Sequence, residues 1–388
     1  MDFTKKRIGI IGGGQLGKMM ILEAKRLGYY VVTLDPTPDC PSHSISDEHI
    51  VAGFDDAAAF ARLAEMVDVI TYEFEHIDAE ILAELDSQGQ TIYPSVASLK
   101  VIQNKHLQKA KLDEAGVPVP RFSLVKSVKD LDKLARPENF GYPLMLKTTT
   151  GGYDGKGNFL IRNANEIETA FQALGNGQTE LMAEEFIDFD KEISVIACRG
   201  IDGSRTIYPV AENIHANNIL DTTIVPARLD NNVIAKATVL AEQVMEIFDG
   251  VGTFCVEMFV DKSGEVYVNE VAPRPHNSGH YTIEGCFSNQ FENHIRAIVG
   301  LPFGRVELIQ PTVMVNLLGQ SDGPTELIGL SEVYQNSNIQ VHIYGKSQSK
   351  PSRKMGHFTV VDETIEKALT QAEKAKELLK VVGKIKNQ

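Results

Sequence analysis

The stretch RIGIIGGGQLGKMM, Arg7 to Met20, decides how the N-terminal part of the chain folds. Its apolar, β-prone start predicts a strand, and Gly12, Gly14 and Gly17 then fit the G-x-G-x-x-G turn that leads into a helix. In dinucleotide-binding domains such a turn is followed by a second strand that ends in a ribose-binding carboxylate. Asp35, which ends the run YYVVTLD, stands near that distance. The pattern predicts a doubly wound α/β unit and leaves NAD open as its ligand.

The composition limits the classes of function. A chain of 388 residues is long enough for two or three domains. The formal net charge of -14 works against a general nucleic-acid or membrane-surface role, because both partners are anionic. The N-terminus leads directly into a strand, and no apolar run is long enough to span a membrane. We therefore expect a cytoplasmic protein that binds any anionic ligand through local cations.

The cysteines give no sign of a zinc site or a disulfide framework. They are scattered along the chain and form no C-x-x-C pair. We expect buried, reduced thiols at Cys40, Cys198, Cys255 and Cys286.

The pattern of elements changes along the chain. From Lys6 to about Pro94, apolar runs alternate with helical patterns, which is typical of a mostly parallel sheet. After the stretch GVPVP, short strands with interspersed helices predict an α+β region. The chain finishes with further strands and the helix ETIEKALTQAEKAKELL. Helical spacing predicts that its apolar side chains pack against a core, namely Ile365, Leu369, Ala372 and Leu379.

The segment KTTTGGYDGKGN, Lys147 to Asn158, predicts a flexible phosphate cover. Its glycines allow successive backbone N–H groups to turn toward an anion, and Lys147 adds a positive charge. The spacing does not match a Walker loop. The alternative is an ordinary hairpin turn, which a segment with Tyr153, Asp154 and Lys156 between its glycines makes less attractive.

The segment GTFCVEMFVDKSGEVYVNEVAP predicts a β-hairpin around DKSG. A tight turn centred on Lys262 and Ser263 pairs Val260 with Glu265. In that register Glu257 and Glu270 share one face as diagonal neighbours, roughly 7–8 Å apart at the backbone. Two such carboxylates suit a hard cation such as Mg²⁺, although two solvent-facing glutamates on an edge strand remain the alternative. Asn269 would join them only through a local twist or bulge.

The loop NEVAPRPHNSGHYT follows the hairpin directly and gathers polar side chains beside the carboxylate pair. This clustering predicts a substrate-binding loop, although an isolated histidine is more often structural than catalytic. The side chains concerned are Arg274, His276, Asn277, Ser278 and His280.

Several of these segments together resemble the N5-carboxyaminoimidazole ribonucleotide synthetases, ATP-grasp carboxylases of purine synthesis. The resemblance rests on GGGQLGKM, TYEFEHI, KTTTGGYDGKGN, EEFIDFDKEISVI, VEMFV and the loop from Asn269, and extends to YGKSQSKPSRKMGH. It implies an ATP-grasp fold with a Rossmann-like pre-ATP-grasp domain at 1–98. The ATP-grasp region would span 99–298, with a lid around 115–180, and a small C-terminal domain would span 299–388.

The resemblance also implies the activity and the ATP site. ATP and bicarbonate would carboxylate the amino group of 5-aminoimidazole ribonucleotide and release ADP and phosphate. Lys105 and Lys147 would contact the ATP phosphates; Lys105 stands where many members have arginine, which keeps the charge and loses the guanidinium fork. Glu257 and Glu270 would bind Mg²⁺. The remaining implied ATP-site residues are the lid glycines and their neighbours Gly151, Gly152, Tyr153, Asp154, Gly155, Lys156 and Gly157, the adenine-edge segment Glu184, Glu185, Phe186 and Ile187, the ribose ligand Glu192, and His215 and Asn269.

The resemblance places the imidazole nucleotide beside the glycine turn, which argues for a mononucleotide rather than NAD at this position. In the mechanism that we expect, Arg274 and His276 hold bicarbonate, and Asp154 is a hypothetical proton acceptor. The implied substrate-binding residues are Gln15, Leu16, Glu73, Asp154, Lys156, Arg274, His276, Lys346 and Arg353. A homodimer is expected from the family, with no nucleic-acid or membrane partner.

Three alternatives remain open from the sequence. A formate-dependent glycinamide ribonucleotide transformylase, or another ATP-grasp ligase, has the same plan but differs where this chain reads HNSGH. An NAD-dependent dehydrogenase explains only the first part of the chain. A non-enzymatic nucleotide-binding module would bind ATP without substrate-stimulated turnover.

Overall fold

A parallel sheet forms the N-terminal part of the chain. The computed structural model describes residues 6–152, 157–175 and 177–384. In it the first five strands lie in the order β3-β2-β1-β4-β5, so the order reverses between β1 and β4, and the predicted doubly wound unit is confirmed. Ligands of such sheets bind beyond the carboxyl ends of the strands at this reversal. The elements are β1 (Arg7–Ile11), α1 (Gln15–Arg26), β2 (Tyr30–Leu34), β3 (Glu48–Ile50), α2 (Ala57–Met66), β4 (Val69–Tyr72), α3 (Ala79–Ser87), β5 (Thr91–Ile92) and α4 (Val96–Ile102).

A small antiparallel sheet follows, in the order β6-β9-β7-β8. Alternate residues of its strands, such as Leu144 and Leu146, are buried against two helices, as a sheet with one covered face requires. Lys147 pairs with Asn158, so the segment rich in glycine connects two adjacent strands. The elements are α5 (Lys105–Glu114), β6 (Phe122–Val125), α6 (Val128–Leu134), β7 (Leu144–Thr148), β8 (Asn158–Ile161), α7 (Ile167–Ala173) and β9 (Leu181–Glu185).

A nine-stranded sheet forms the centre of the molecule, with strand order β15-β14-β10-β12-β13-β16-β20-β18 and β11 paired with β10. The longest helix, α8, packs on this sheet through Ala237, Leu240, Ala241 and Val244, which follow helical spacing. The elements up to α10 are β10 (Phe189–Arg199), β11 (Arg205–Ile207), β12 (Ala211–Ala216), β13 (Ile219–Val225), α8 (Asn231–Phe248), β14 (Gly252–Asp261), β15 (Val266–Ala272), α9 (Thr282–Gly285) and α10 (Gln290–Val299).

The C-terminal part extends the central sheet. Strand β16 pairs with β13, so the hydrogen-bonded ladder runs without interruption from the hairpin to the last third of the chain. The predicted packing of the final helix is confirmed: Ala372 and Leu379 are buried, and Ile365 and Leu369 are partly buried in the same cluster. The elements are β16 (Thr312–Leu318), β17 (Gly323–Ile328), α11 (Leu330–Val333), β18 (Ile339–Ile343), β19 (Gln348–Ser349), β20 (Lys354–Val361), α12 (Ile365–Leu378) and β21 (Lys380–Gly383).

The hairpin has a different register from the one that the sequence predicts. Val260 pairs with Val266, not Glu265, because Gly264 adopts a φ of 83° and lengthens the turn by one residue. A second shift falls between Glu257 and Met258, where Asn269 is the extra residue on β15. The two shifts bring Glu257 directly opposite Glu270, and they supply the bulge that Asn269 needs to join them.

The predicted buried thiols are confirmed, since all four cysteines are free and buried. Among the helices in the described part of the chain, none combines the length and apolar character needed to cross a membrane.

Candidate active site

A cleft of about 940 Å³ collects most of the residues to which the sequence points. Its walls come from the glycine turn after β1, the strands β7 and β9, the β14–β15 hairpin and the start of β20. The cleft therefore lies where the small antiparallel sheet, the central sheet and the carboxyl ends of β1 and β4 meet. The predicted residues that line it are Gln15, Leu16, Glu73, Lys105, Lys147, Gly151, Gly152, Glu184, Glu185, Phe186, Ile187, Glu192, His215, Glu257, Asn269, Glu270, Arg274 and His276.

Protein carboxylates bind the backbone donors of the glycine turn. The N–H groups of Gly14 and Gly17 each donate to Glu73 at 2.6 Å, and the N–H of Gly13 donates to Asp35 at 2.8 Å. A Cβ at Gly12 would lie 2.4 Å from the Glu73 side chain, so glycine is needed for this close approach. The turn thus fits Glu73 at the N-terminus of α1, where a dinucleotide fold would hold a pyrophosphate. The glycine pattern is explained without NAD.

Lys105, Lys147 and the buried Glu184 line the cleft beside β7 and β9, and Lys109, which is also buried, lies next to Glu184. Lys147 Nζ lies 2.7 Å from one oxygen of Glu184, and Lys109 Nζ lies 3.4 Å from the other. Lys105 Nζ lies 2.5 Å from Glu270. Burial lowers the pKa of Lys109 to about 8. Three lysines against the carboxylates of Glu184 and Glu270 leave a net positive charge, which suits polyphosphate, the type of ligand expected for Lys105 and Lys147.

The side chains of Glu184 and Glu185 already pair with other protein groups. This agrees with the expectation that backbone groups of this segment bind the edge of the adenine ring. Glu184 contacts the lysines just described, and Arg121 donates two hydrogen bonds to Glu185, at 2.8 and 2.9 Å. Phe186 and Ile187 continue along the cleft wall.

Glu192 and His215 meet at the next part of the wall. His215 Nδ1 is in direct contact with a carboxylate oxygen of Glu192. Burial alone would lower the pKa of His215, but the hydrogen bond and negative charge of Glu192 outweigh it and raise the pKa. The two residues form one polar unit that could accept the hydroxyls of a sugar.

The paired glutamates of the hairpin fit a hard cation. Burial and the neighbouring charge of Glu270 raise the pKa of Glu257 to about 7. Burial acts in the same direction on Glu270, but Lys105 outweighs it and lowers the pKa of that carboxyl. Because Glu257 and Glu270 are direct cross-strand partners with the Asn269 bulge beside them, a divalent cation would relieve their repulsion and receive the oxygen ligands it prefers.

Arg274 and His276 hold opposite sides of the loop after the hairpin. Arg274 faces Glu75 with two nitrogen–oxygen pairs, Nε to Oε1 at 2.9 Å and Nη2 to Oε2 at 3.0 Å. Nδ1 of His276 lies 2.9 Å from the Ser278 hydroxyl, which leaves Nε2 facing Glu257 at 3.7 Å. Burial and the charge of Arg274 hold the pKa of His276 well below its usual range.

The predicted cluster in this loop divides into two layers. Asn277 lines the cleft with His276, whereas His280 is fully buried and packs against His357 at a centroid distance of 4.6 Å. His280 is therefore a structural histidine, in line with the general observation that an isolated histidine is more often structural than catalytic.

The basic segment near β20 presents a lysine that the sequence analysis missed. Lys354 lines the cleft, and its charge lowers the pKa of His276. Lys346 donates to the Lys354 carbonyl at 2.7 Å, and its charge acts on Glu73. Arg353 donates to the Gln348 carbonyl at 2.7 Å and is not among the residues that line the cleft. The only sequence signal for Lys354 is its position beside Arg353.

Two further residues escaped the sequence analysis. Lys109 lies one helical turn after Lys105, and this spacing places both on one face of α5. Glu75 lies two residues after Glu73, within the quoted motif TYEFEHI, and its role depends on a partner 199 positions away.

Part of the predicted lid falls outside the described residues, namely Tyr153, Asp154, Gly155 and Lys156. The flanking Gly157 has a φ of 80°, and its carbonyl accepts a hydrogen bond from the Thr148 N–H at 2.9 Å. The expected roles of the lid and of Asp154 stay predictions.

Three family models match consecutive parts of the chain. They describe a ribonucleotide synthetase preATP-grasp domain at residues 5–103, an ATP-grasp domain at 110–291 and a phosphoribosylaminoimidazole carboxylase C-terminal domain at 312–371. Together the matches confirm the predicted ATP-grasp fold.

Curated relatives and solved structures agree with these models. The chain is 43% identical to the N5-carboxyaminoimidazole ribonucleotide synthase of Staphylococcus aureus strain COL, over 94% of this chain and 96% of that one. It is similar to the N5-carboxyaminoimidazole ribonucleotide synthetase structure from Thermotoga maritima, with 46% identity, a TM-score of 0.89 and coverage of 98% and 100%. A synthase from Aspergillus clavatus, in complex with ADP and 5-aminoimidazole ribonucleotide, gives 35% identity, a TM-score of 0.89 and coverage of 97% and 98%.

Proposed function

Because this chain belongs to the N5-carboxyaminoimidazole ribonucleotide synthetase family, we propose that it uses ATP to carboxylate 5-aminoimidazole ribonucleotide with bicarbonate. It is an ATP-dependent ligase of purine biosynthesis, and the family likeness favours this activity over the glycinamide ribonucleotide alternative. The observation that carries the proposal is a single cleft that is lined by Lys105 and Lys147 and by the glycine turn that binds Glu73. Such a cleft can hold two nucleotides with their reacting groups between them.

At the ATP end, Lys105 and Lys147 bind the phosphates, and the Glu192–His215 unit accepts the ribose hydroxyls. Backbone groups from Glu184 to Ile187 bind the adenine edge. The ADP complex of the Staphylococcus aureus synthetase, 41% identical to this chain with a TM-score of 0.88, supports ATP as the nucleotide. The ion pairs of Lys105 with Glu270 and of Lys147 with Glu184 support this arrangement, because they hold both ammonium groups at the end of the cleft where the phosphates would bind.

Glu257 and Glu270 would hold Mg²⁺, with Asn269 beside them. The ion would neutralise phosphate charge and help to align the transferred group. The direct cross-strand pairing of the two carboxylates supports this role.

At the other end, the imidazole nucleotide lies against Gln15, Leu16 and Glu73. We expect Lys346 and Arg353, which do not line the cleft, to reach its phosphate from the segment before β20, and Lys354, which lines the cleft, to add a further cation. The complex of the Aspergillus clavatus synthase with 5-aminoimidazole ribonucleotide supports a mononucleotide in this position. These cations allow a protein with a net charge of -14 to bind an anionic substrate.

The reaction requires bicarbonate to become electrophilic. Bicarbonate attacks the γ-phosphate of ATP to give carboxyphosphate, and the carboxyl carbon, as carboxyphosphate or as CO₂, then reacts with the substrate amine. Arg274 and His276 hold bicarbonate between the two nucleotides, and Asp154 accepts the amine proton. A lid that spans Gly151 to Gly157 excludes water from the unstable intermediate.

A phosphate-release assay tests the proposed activity. Purified protein receives ATP and Mg²⁺, and then 5-aminoimidazole ribonucleotide, glycinamide ribonucleotide, bicarbonate and formate in turn. Release that needs 5-aminoimidazole ribonucleotide and bicarbonate supports the proposal. Stimulation by glycinamide ribonucleotide and formate would indicate the transformylase, and ATP binding with no stimulated release would indicate a non-enzymatic module.

We also infer a cytoplasmic homodimer from the family resemblance. Size-exclusion chromatography with light scattering tests the dimer: a mass near twice the 42.7 kDa of one chain is expected, and a monomer would contradict it.

A further inference from the structure

Three side chains of unusual combined chemistry meet at one wall of the cleft: Glu257 and His276 line the cleft, and Cys255 is fully buried beside them. Cys255, Glu257 and His276 each offer one ligand atom, and these atoms lie within 4.8 Å of one another. Cys255 and Glu257 are two residues apart on β14 and so point to the same face, and His276 approaches from the loop after β15. The chain thus brings a thiol, a carboxylate and an imidazole together at one point.

These donors suit a different cation from the one that the glutamate pair would hold. Mg²⁺ prefers oxygen ligands, whereas a thiol and an imidazole favour Zn²⁺ and similar softer cations. Zinc–ligand bonds of roughly 2.0–2.3 Å place the ligands of one tetrahedral ion about 3.5 Å apart, so small side-chain movements would close this set around zinc. We propose that Cys255, Glu257 and His276 form a second metal site, which takes Zn²⁺ and shares Glu257 with the Mg²⁺ site.

The residues behind the three donors hold two of them in place. The Ser278 hydroxyl lies 2.9 Å from His276 Nδ1 and 3.6 Å from Cys255 Sγ. Ser278 is itself fully buried, and Ser194 donates to its hydroxyl at 2.9 Å. Outer partners of this kind orient metal ligands and restrict their movement. The thiol and the imidazole are therefore held close together before any ion binds.

The shared glutamate has a functional consequence. When Zn²⁺ binds, the Cys255 thiol loses its proton to solvent, a sulfur–zinc bond forms, and Glu257 turns from Glu270 toward His276. Because one carboxylate cannot serve both sets of ligands fully, Zn²⁺ weakens the oxygen site on the other side of Glu257. Zinc is then an inhibitor that competes with magnesium, and Cys255 is required for this inhibition but not for turnover.

Cobalt titration tests the site by a readout that does not depend on activity. Co²⁺ bound to a thiolate gives a charge-transfer band in the near ultraviolet, and Zn²⁺ removes the band by displacement. We expect the band in the wild type and in Cys198→Ala, a matched control that removes another buried thiol. We expect no band in Cys255→Ala or Cys255→Ser. Absence of the band in the wild type, or its persistence in both Cys255 variants, would overturn the proposal.

Displacement also measures zinc affinity. Loss of the thiolate should weaken Zn²⁺ binding by at least about 100-fold, more than the roughly 10–100-fold that removal of an outer partner costs. Near-ultraviolet circular dichroism checks that each variant is folded, and Cys255→Ser preserves side-chain size where alanine does not. An affinity in Cys255→Ser equal to that of the wild type would refute a thiolate ligand.

Inhibition tests the shared carboxylate separately. With zinc held at a buffered concentration, phosphate release by the wild type should fall, and added Mg²⁺ should restore it. In Cys255→Ser the zinc needed for half-inhibition should rise at least about tenfold. Equal inhibition of both proteins would show that zinc acts elsewhere. If the chain lacked the proposed carboxylase activity, the cobalt band would still report the metal site, so the two failures are distinguishable.

Discussion

Single carboxylates decide how the glycine turn is used. Glu73 accepts hydrogen bonds from two backbone N–H groups of the turn, and Asp35 accepts one from a third. The sequence predicts the turn and the helix after it, because glycine spacing is a local signal. It does not show that a residue 59 positions away from Gly14 occupies the same donors, since this contact depends on how β1 and β4 pair.

The first prediction concerns Glu270. Replacement by glutamine keeps the shape of the side chain but removes one negative charge from the proposed cation site and from its pair with Lys105. We expect the fold to be retained and kcat to fall about 100-fold or more, because charge stabilisation by a bound cation is worth several kcal/mol. Steady-state phosphate release at saturating ATP measures the effect.

Glu265→Gln is the matched control. Glu265 lies on the same hairpin, is exposed and pairs only with the exposed Lys236 among the salt bridges of the described residues. Its replacement should leave kcat unchanged. Wild-type turnover in Glu270→Gln at ordinary Mg²⁺ concentrations would mean that the glutamate pair is not the cation site.

The second prediction concerns the cations at the substrate phosphate. Arg353→Ala and Lys354→Ala should each weaken binding of 5-aminoimidazole ribonucleotide much more than binding of ATP. A charge-assisted phosphate contact is worth up to a few kcal/mol, or roughly one to two powers of ten in affinity. Because Lys354 lines the cleft, we expect the larger effect there. Isothermal titration with each ligand separates the two affinities.

Lys350→Ala serves as the control because Lys350 is exposed in the same basic segment. It should change neither affinity. If ATP binding fell in the Arg353 and Lys354 variants while substrate binding did not, the two cations would belong to the other ligand. Lys354 was not predicted, because a basic segment gives no sign of which side chain points inward.

At the level of elements, the hairpin shows where sequence reasoning stops. The turn residues predict the two strands. In the predicted register Glu257 and Glu270 share a face, because the partner of Glu257 lies an even number of positions from Glu270. The register itself depends on Gly264 in the turn and on the Asn269 bulge, each of which adds one residue to the same side. Side chains alternate between the two faces of a strand with a period of two residues. Two register shifts of one residue each therefore return every side chain to its original face. The carboxylates therefore stay on one face although the predicted partners were wrong.

The third prediction concerns the contacts that join β12 to its neighbours. Arg228 donates to Glu212 at 2.5 and 3.0 Å, and Lys191 donates to it at 3.2 Å. Burial alone would raise the pKa of Glu212, but these donors outweigh it and lower the pKa below the ordinary value of 4.5. Since the unfolded chain binds the proton more tightly, the stabilisation is complete above about pH 4.5 and is lost as the pH falls through the folded-state pKa.

Glu212→Gln should therefore lower the free energy of unfolding by about 1–3 kcal/mol near neutral pH and by less at about pH 3.5. Urea denaturation at both pH values measures this difference. Glu246→Gln, which removes an exposed partner of Arg205, should change stability by no more than about 0.5 kcal/mol at either pH. A deficit in Glu212→Gln that does not shrink in acid would contradict the electrostatic explanation.

At the level of the whole molecule, the cleft exists only because distant segments meet. Sequence motifs predict most of its walls, from the lysines of α5 and β7 to the hairpin glutamates. They do not predict that Arg274 pairs with Glu75, or that β20 closes one side, because both depend on how the sheets are joined. The sequence therefore predicts which local segments carry chemically active side chains. It does not predict how the parallel sheet, the small antiparallel sheet and the central sheet are placed relative to one another.

The fourth prediction concerns the reaction that this assembly performs. If bicarbonate attacks the γ-phosphate of ATP, ¹⁸O-labelled bicarbonate should transfer one labelled oxygen to phosphate in each turnover. Mass spectrometry of the released phosphate measures the label. A parallel reaction with unlabelled bicarbonate in ¹⁸O-water, stopped before bicarbonate exchanges oxygen with the solvent, is the control and should leave phosphate unlabelled. Phosphate whose new oxygen comes only from water would indicate simple ATP hydrolysis and would rule out carboxyphosphate.

The pairing of β13 with β16 has a consequence for protein engineering. A chain cut before β16 would leave β13 with an open edge whose residues Thr223, Ile224 and Val225 are fully buried in the intact protein. An exposed apolar edge of this kind is a template for pairing with other chains and for aggregation. Ile224 also lies in the same hydrophobic cluster as Val313 and Phe358, so the cut would divide a core. The last third of the chain is thus no removable module, and split or fused versions of this protein need their junctions in loops outside the central sheet.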